Sequence, residues 1–439
     1  MNRRVLFYSI VVALGGFLFG FDTAVISGAE QAIQVFWTLS EVEHGFTVSI
    51  ALIGTVFGAL FGGIPSDKFG RKPTLLAIGI LYFVSALGSG LAEDWILFLC
   101  YRFIGGLGVG ASSVVAPMYI SEIAPARSRG GLVALFQFNI VFGILIAFLS
   151  NYAIAQLEIA NDWRWMLGIE SLPALFFAVA MIAVPESPRW LIVKKGHLQK
   201  ALAIFNNNGE ANSQAKVEEI KLSVWKKKEK TGLFQNIFHF RKPLTLAFLF
   251  AFFNQLSGIN AIIYYAPRIF EMTGLEKSAS LLSSVGVGAV NFFFTLLAMV
   301  VIDRFGRKKL MHVGSAGLIM SLSLISLAFY SRDFEAHNVP VYLFLYIGFF
   351  AFSQGAVIWV FISEIFPNEI RALGQSVGSF THWFLAALVA FIFPGFTAWL
   401  GPANTFMVFL LMMVLQWLFV FFVMPETRGK SLEDIGKEM

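Results

Sequence analysis

A chain of 439 residues that is 57% hydrophobic and 13% charged, with mean hydropathy +0.73, is too apolar for an ordinary soluble domain. Its net charge of +5 comes from short basic stretches between apolar runs, which argues against a nucleic-acid surface. The single cysteine, Cys100, excludes an internal disulfide and a cysteine metal cage.

Twelve apolar stretches are long enough to cross a hydrocarbon core of about 30 Å as helix. In chain order they are Val5–Gly28, Phe46–Ile64, Thr74–Leu91, Trp95–Ile120, Gly131–Ala155, Trp165–Val184, Leu244–Phe270, Leu281–Ile302, Leu310–Tyr330, Pro340–Ser363, Leu373–Phe396 and Ala403–Met424. The first is too long for a cleaved signal peptide and carries Asp22 in mid-segment. Between the sixth and seventh, the 59 residues from Pro185 to Pro243 hold 12 Lys/Arg against 5 Glu. Two amphipathic pieces there, Trp190–Phe205 and Ala215–Lys230, read as short cytoplasmic helices in a linker. With both termini inside, cytoplasmic segments hold 27 of the 32 basic residues. The outer loops hold Arg164, Arg268, Lys277 and Arg332, while Arg102 lies within a helix.

The chain repeats itself. Asp67-Lys68-Phe69-Gly70-Arg71-Lys72 after helix two recurs 236 residues later as Asp303-Arg304-Phe305-Gly306-Arg307-Lys308 after helix eight. Ser121-Glu122-Ile123-Ala124-Pro125, with Arg129, recurs at an offset of 242 as Ser363-Glu364-Ile365-Phe366-Pro367, with Arg371. Pro185-Glu186-Ser187 recurs at an offset of 240 as Pro425-Glu426-Thr427. Three motifs at nearly one offset mean a duplicated six-helix unit. The expected organisation is an N-terminal half over residues 1–184, a linker over 185–243 and a C-terminal half over 244–439. Asp67, Arg71, Glu122, Arg129, Asp303, Arg307, Glu364 and Arg371 then form a candidate cytoplasmic gate. Two readings stay open: these charges pair across the halves and latch that side shut, or they brace loops and helix ends.

Along its whole length the sequence resembles the sugar porters of the major facilitator superfamily. The resemblance rests on Gly63-Ile64-Pro65-Ser66-Asp67-Lys68-Phe69-Gly70-Arg71-Lys72, which is widespread in the superfamily, and on Pro425-Glu426-Thr427-Arg428-Gly429. More specific are Tyr101-Arg102-Phe103-Ile104-Gly105-Gly106, Pro185-Glu186-Ser187-Pro188-Arg189-Trp190-Leu191 and Gln255-Leu256-Ser257-Gly258-Ile259-Asn260. It implies an all-α membrane protein of twelve transmembrane helices in two pseudo-symmetric halves. It also implies import of a monosaccharide by alternating access, driven by the proton gradient with no cofactor. The expected partners are the sugar, the proton and the lipid bilayer, with the chain acting as a monomer in the cytoplasmic (inner) membrane.

Charges inside apolar spans are costly, and two stand well inside, Asp22 in helix one and Arg102 in helix four. Asp22 lies about 12 Å from the outer end and Arg102 about 10 Å, at 1.5 Å per residue, so they share a depth. Their pairing is either proton coupling or a structural ion pair. The resemblance favours coupling, since proton symporters of the family carry an aspartate here and facilitative glucose transporters an uncharged residue.

A hexose needs partners that donate and accept, which amides do, and a flat apolar face, which Trp supplies. Gln255, Asn291 and Trp383 fall about 15–17 Å into their helices, near the midplane. Gly258 and Asn260 interrupt helix seven. The sugar-porter pattern maps sugar contacts onto Gln137, Asn254, Gln255, Asn260, Asn291, Trp359 and Trp383, with Tyr264 as a gate near the outer mouth. This chain departs from the pattern in three places. Asn254 stands where a Gln is usual, Gly355-Ala356 replaces Gly-Pro and leaves helix ten less kinked, and His382 replaces an amide beside Trp383. His382 either touches sugar, titrates, or is a buried neutral histidine. Ile144, apolar as in glucose carriers, tilts the reading from xylose toward glucose.

Other classes fit less well. The six histidines are dispersed and form no metal cluster with Glu, which disfavours a membrane enzyme. No symmetric filter-like loop suggests a channel. A non-transporting sugar sensor would carry a long cytoplasmic tail, whereas about 15 residues follow Met424. Within transport, a facilitator without proton coupling remains open.

Overall fold

The computed structural model describes residues 2–125, 127–210, 212–228, 240–334, 338–366 and 371–428. Among these there is no strand. Twelve helices are long and apolar enough to cross a membrane: α1 (Arg3–Phe36), α2 (Glu41–Phe61), α3 (Arg71–Leu91), α4 (Trp95–Ile123), α5 (Arg129–Ala155), α6 (Asp162–Ile182), α7 (Arg241–Tyr264), α8 (Lys277–Phe305), α9 (Arg307–Ser331), α10 (Asn338–Glu364), α11 (Gly374–Leu400) and α12 (Pro402–Phe422). They satisfy their backbone groups internally, as hydrocarbon requires, and turn large apolar side chains such as Phe293, Val300 and Phe422 outward.

Contacts divide the chain into two compact units. One comprises Met1–Asp22, Gly54–Gly143 and Leu167–Gln235; the other comprises Thr23–Ile53, Ile144–Met166 and Asn236–Met439. In the first, the four-residue spacing of Gly54 and Gly58 lets α2 lie against α4, where an added Cβ would strike the carbonyl oxygens of Phe103 and Leu107. In the second, aromatic and aliphatic side chains of α7, α10 and α12 share a core that includes Phe250, Phe253, Phe361, Phe419 and Val420.

Several helices depart from the expected limits. α1 runs on to Phe36, eight residues past Gly28, so Glu30 and Gln34 sit on it. α6 consists of Asp162–Gly168 and Ser171–Ile182, with Glu170 at the joint. α7 breaks at Ser257–Gly258, where Gly258 adopts φ 88°, and resumes as Ile259–Tyr264 followed by Ala266–Glu271. α10 breaks at Ser353 into Asn338–Phe352 and Gln354–Glu364. Helix ten is nonetheless interrupted, ahead of Gly355-Ala356, at Ser353 with φ −120° and ψ −86°.

The linker pieces appear as Pro188–Trp190, a π turn at Leu191–Lys195, Leu198–Asn207 and Ser213–Lys228. They enclose a small core of Trp190, Leu191, Ile192, Ala201, Phe205, Val217 and Ile220, which is what their amphipathic pattern requires. Glu229 and Lys230, at the end of the second expected piece, lie outside the described residues.

Candidate functional site

Each repeated motif builds the same charge cluster. In the first unit, Arg71 donates from Nε and Nη2 to both carboxylate oxygens of Glu122, each at 3.0 Å, and from Nη1 to Asp67 at 3.0 Å. Glu186 accepts the backbone N–H groups of Arg71 and Lys72. In the second, Arg307 donates to Glu364 at 3.1 and 2.7 Å and pairs with Asp303 at 3.1 Å, while Glu426 accepts the N–H groups of Arg307 and Lys308. Burial pushes the Glu186 carboxyl up, and the N–H groups of Ser187, Lys72 and Arg71 offset only part of that rise.

The intervening glycine is explained by this arrangement. Gly70 has φ 115° and Gly306 φ 87°, and a Cβ at either would strike the carboxylate of Glu186 or Glu426. Among the described residues these charges pair within each half, in keeping with the second of the two open readings, the bracing of loops and helix ends. Each arginine is saturated by the glutamate and aspartate of its own half. Pro367 and the side chain of Arg371 lie outside the described residues.

Within the first unit Asp22 and Arg102 meet as their shared depth implied, with Arg102 Nη1 2.5 Å from Asp22 Oδ1. Their side chains are 4% and 2% exposed, so the pair is shut away from solvent. The count of two interior charges is corrected here. Glu170, 2% exposed at the joint of α6, lies close enough for its charge to bear on both Asp22 and Arg102. Two carboxyl groups then face one guanidinium. One Glu170 oxygen, Oε1, has no hydrogen-bond partner. The signal for Glu170 was a carboxylate six residues into a span, next to a helix break that apolar periodicity does not reveal.

The second unit gathers most of the expected sugar contacts around the break in α7. Gln255 Nε2 donates to Asn254 Oδ1 at 3.0 Å, and Asn260 Nδ2 donates to Gln255 Oε1 at 2.5 Å. Gln255 Nε2 also lies 2.9 Å from His382 Nδ1. The His382 ring centroid is 4.8 Å from Trp359 and 4.9 Å from Trp383. Trp359 is 37% exposed whereas Trp383 is buried, so the two indoles differ in access. Tyr264 and Asn291 are buried in the same unit, and Gln137 belongs to the other.

Sequence reasoning missed two further amides. Gln354 begins the second piece of α10 and donates from Nε2 to Gln416 Oε1 at 2.7 Å, while its backbone carbonyl accepts from Asn254 Nδ2 at 3.4 Å. An amide immediately preceding Gly355 in an apolar span was the available signal.

Among the described residues no group of His, Cys, Asp and Glu is placed to hold a metal ion. What the geometry offers instead is a buried ion pair in one unit and a cluster of amides and indoles in the other. The chain is 37% identical over 444 residues to an arabinose-proton symporter of Bacillus subtilis, covering 99% of this chain and 94% of the relative. It is 36% identical to a D-xylose-proton symporter of Escherichia coli, covering 97% and 94%. It superposes with a TM-score of 0.87 on the inward-open conformation of the xylose transporter from Escherichia coli, at 34% identity and covering 98% of each chain. The family described as Sugar (and other) transporter matches residues 8–439, and this chain, with its twelve spanning helices and duplicated charge motifs, belongs to that family.

Proposed function

We propose that the protein imports a monosaccharide together with a proton, with Asp22 as the proton carrier and the amide–indole cluster as the sugar site. The observation that carries this reading is the buried Asp22–Arg102 pair with Glu170 beside it. An unprotonated Asp22 holds Arg102, and so ties α1 to α4. A proton on Asp22 removes that attraction and loosens Arg102 from α1. One proton thereby weakens the tie between α1 and α4 and can be coupled to a change of conformation.

Gln255, Asn260, Asn254, His382, Trp359 and Trp383 are the proposed sugar contacts. Amides donate and accept to hydroxyls, and indole faces lie against C–H surfaces. Tyr264 is proposed as the gate beside them. Gln137 and Asn291 are carried as sugar contacts by the family pattern. The basic excess supports a cytoplasmic position for Asp67, for Asp303 and for both termini. Among sugars, the apolar Ile144 favours glucose over xylose. Asp67, Arg71, Glu122, Arg129, Asp303, Arg307, Glu364 and Arg371 stay as the proposed cytoplasmic gate, one cluster in each half.

Uptake into proteoliposomes with an imposed pH gradient tests the central claim. Wild type should accumulate labelled sugar above equilibrium, whereas Asp22→Asn should exchange labelled for unlabelled sugar and accumulate none. A wild type that only equilibrates is a facilitator. An Asp22→Asn variant that still accumulates sugar moves the proton to another group, with Glu170 the next to replace. A panel of glucose, xylose and arabinose in the same assay decides the substrate.

A further inference from the structure

α1 does not stop with its apolar run. It continues to Phe36 and carries Glu30, which is 1% exposed, into a polar cluster that the proposed function leaves unused. Arg268, on the short helix Ala266–Glu271, donates from Nε to Glu30 Oε1 at 3.0 Å and from Nη2 to Oε2 at 2.9 Å. His44 of α2 places Nε2 2.7 Å from the same carboxylate. Gln34, one turn further along α1, accepts from Arg268 Nη2. The His44 ring stands edge-on to Tyr265, whose hydroxyl donates to the Ala390 carbonyl of α11 at 2.9 Å. A single buried carboxylate thus ties α1, α2 and the last piece of the broken helix α7, all within the second unit.

The placement says more than that the cluster is well bonded. Arg268 rides on the third segment of a helix interrupted at Gly258 and again at Tyr265, so it can swing without unwinding a continuous rod. The partner carboxylate stands on α1, the helix that carries Asp22. The Arg268 side chain is 17% exposed and that of Glu30 fully covered, so parting them leaves a bare carboxylate to be rehydrated. We infer that Glu30 and Arg268, supported by His44 and Gln34, form an ionic latch that holds the outward mouth shut and must open before sugar enters from outside. This rests on the alternating-access reading and on the orientation that turns this end outward. It adds gating residues that none of the repeated motifs supplies.

The test uses full-length protein in nanodiscs, without sugar or pH gradient, in a Cys100→Ser background. Spin labels replace the exposed Val42 at the start of α2 and the exposed Glu276 at the start of α8. Glu30→Gln and Arg268→Gln should each raise the population of the longer label separation on the order of tenfold, the least that breaking a largely buried pair should yield. The double variant should do no more than either single, because both remove one interaction. Arg268→Lys, which keeps the charge but loses the two-pronged contact, should fall between, and it serves as the test should the glutamine variants fail to fold. Unchanged separations in folded variants, or effects that simply add in the double, overturn the latch. Neither result bears on coupling, because no proton gradient is applied. A wild type that fails to concentrate sugar would overturn symport and leave the latch standing.

Discussion

Gln255 is held at both ends of its amide. Its nitrogen is shared between Asn254 and His382, and its oxygen receives Asn260. A side chain fixed in this way presents its remaining hydrogen-bonding capacity in one direction, which lowers the ordering cost when a hydroxyl arrives. Gln255→Ala should weaken sugar binding by about 1–3 kcal/mol, roughly 5- to 150-fold in Kd, without loss of fold. Calorimetry on the purified variant measures this, and an unaltered Kd would place the sugar elsewhere. Depth counting found Gln255, and the altered motif beside Trp383 singled out His382, because position along a regular helix is readable from residue number. It could not find Gln416, since a lone amide in an apolar span has no period and no motif around it. Glu170 escaped for a different reason. Its helix is broken beside it, and a break shifts which face a residue presents.

At the scale of elements, the glycine in each Asp-x-Phe-Gly-Arg turn joins one helix to the next and makes room for a carboxylate at once. Gly70→Ala must either move Glu186 or abandon φ 115°, a combined cost of about 1–3 kcal/mol. Gly63→Ala, where nothing lies within 4 Å of the added methyl, is the control. Thermal unfolding followed by size-exclusion should show a lowered Tm for Gly70→Ala and little change for Gly63→Ala. Equal shifts would mean that the carboxylate cradle contributes nothing. The twelve spanning helices were legible because hydropathy over some twenty residues averages out local detail. The helix breaks were less so: Gly258 announced one, but the break at Ser353 depends on a backbone conformation that any residue type can hide.

Over the whole molecule, duplication governs where energy resides. The bonds of Arg71 to Glu122 and Asp67 recur as those of Arg307 to Glu364 and Asp303, and each set is complete in its own half. Clusters without shared partners should act independently. The Tm shifts of Arg71→Ala and Arg307→Ala should therefore sum in the double variant. A shortfall or excess beyond about 0.5 kcal/mol would reveal coupling between the two gates. The sequence motifs showed the duplication plainly, at offsets of 236 to 242 residues. They did not show the contact units, which cut across α1 and α2 at Asp22–Thr23 and Ile53–Gly54. Motifs record descent, whereas contacts record packing, and a helix can belong to two packing environments along its length.

The break in α7 is not a loose joint. Interrupting the helix at Gly258 leaves the Ser257 carbonyl to a partner outside α7, and the Tyr346 hydroxyl of α10 takes it at 2.9 Å. The Phe409 ring of α12 occupies the space a Cβ on Gly258 would need. The hinge is thus spliced to two neighbouring helices, and a swing of its far segments pulls on Tyr346 as well. Motion on that side is then relayed sideways through the bundle instead of dissipating at the hinge. Deuterium uptake at the backbone amides following Gly258 should rise and fall with uptake in the Tyr346 segment, so that the broken helix and its splint breathe together.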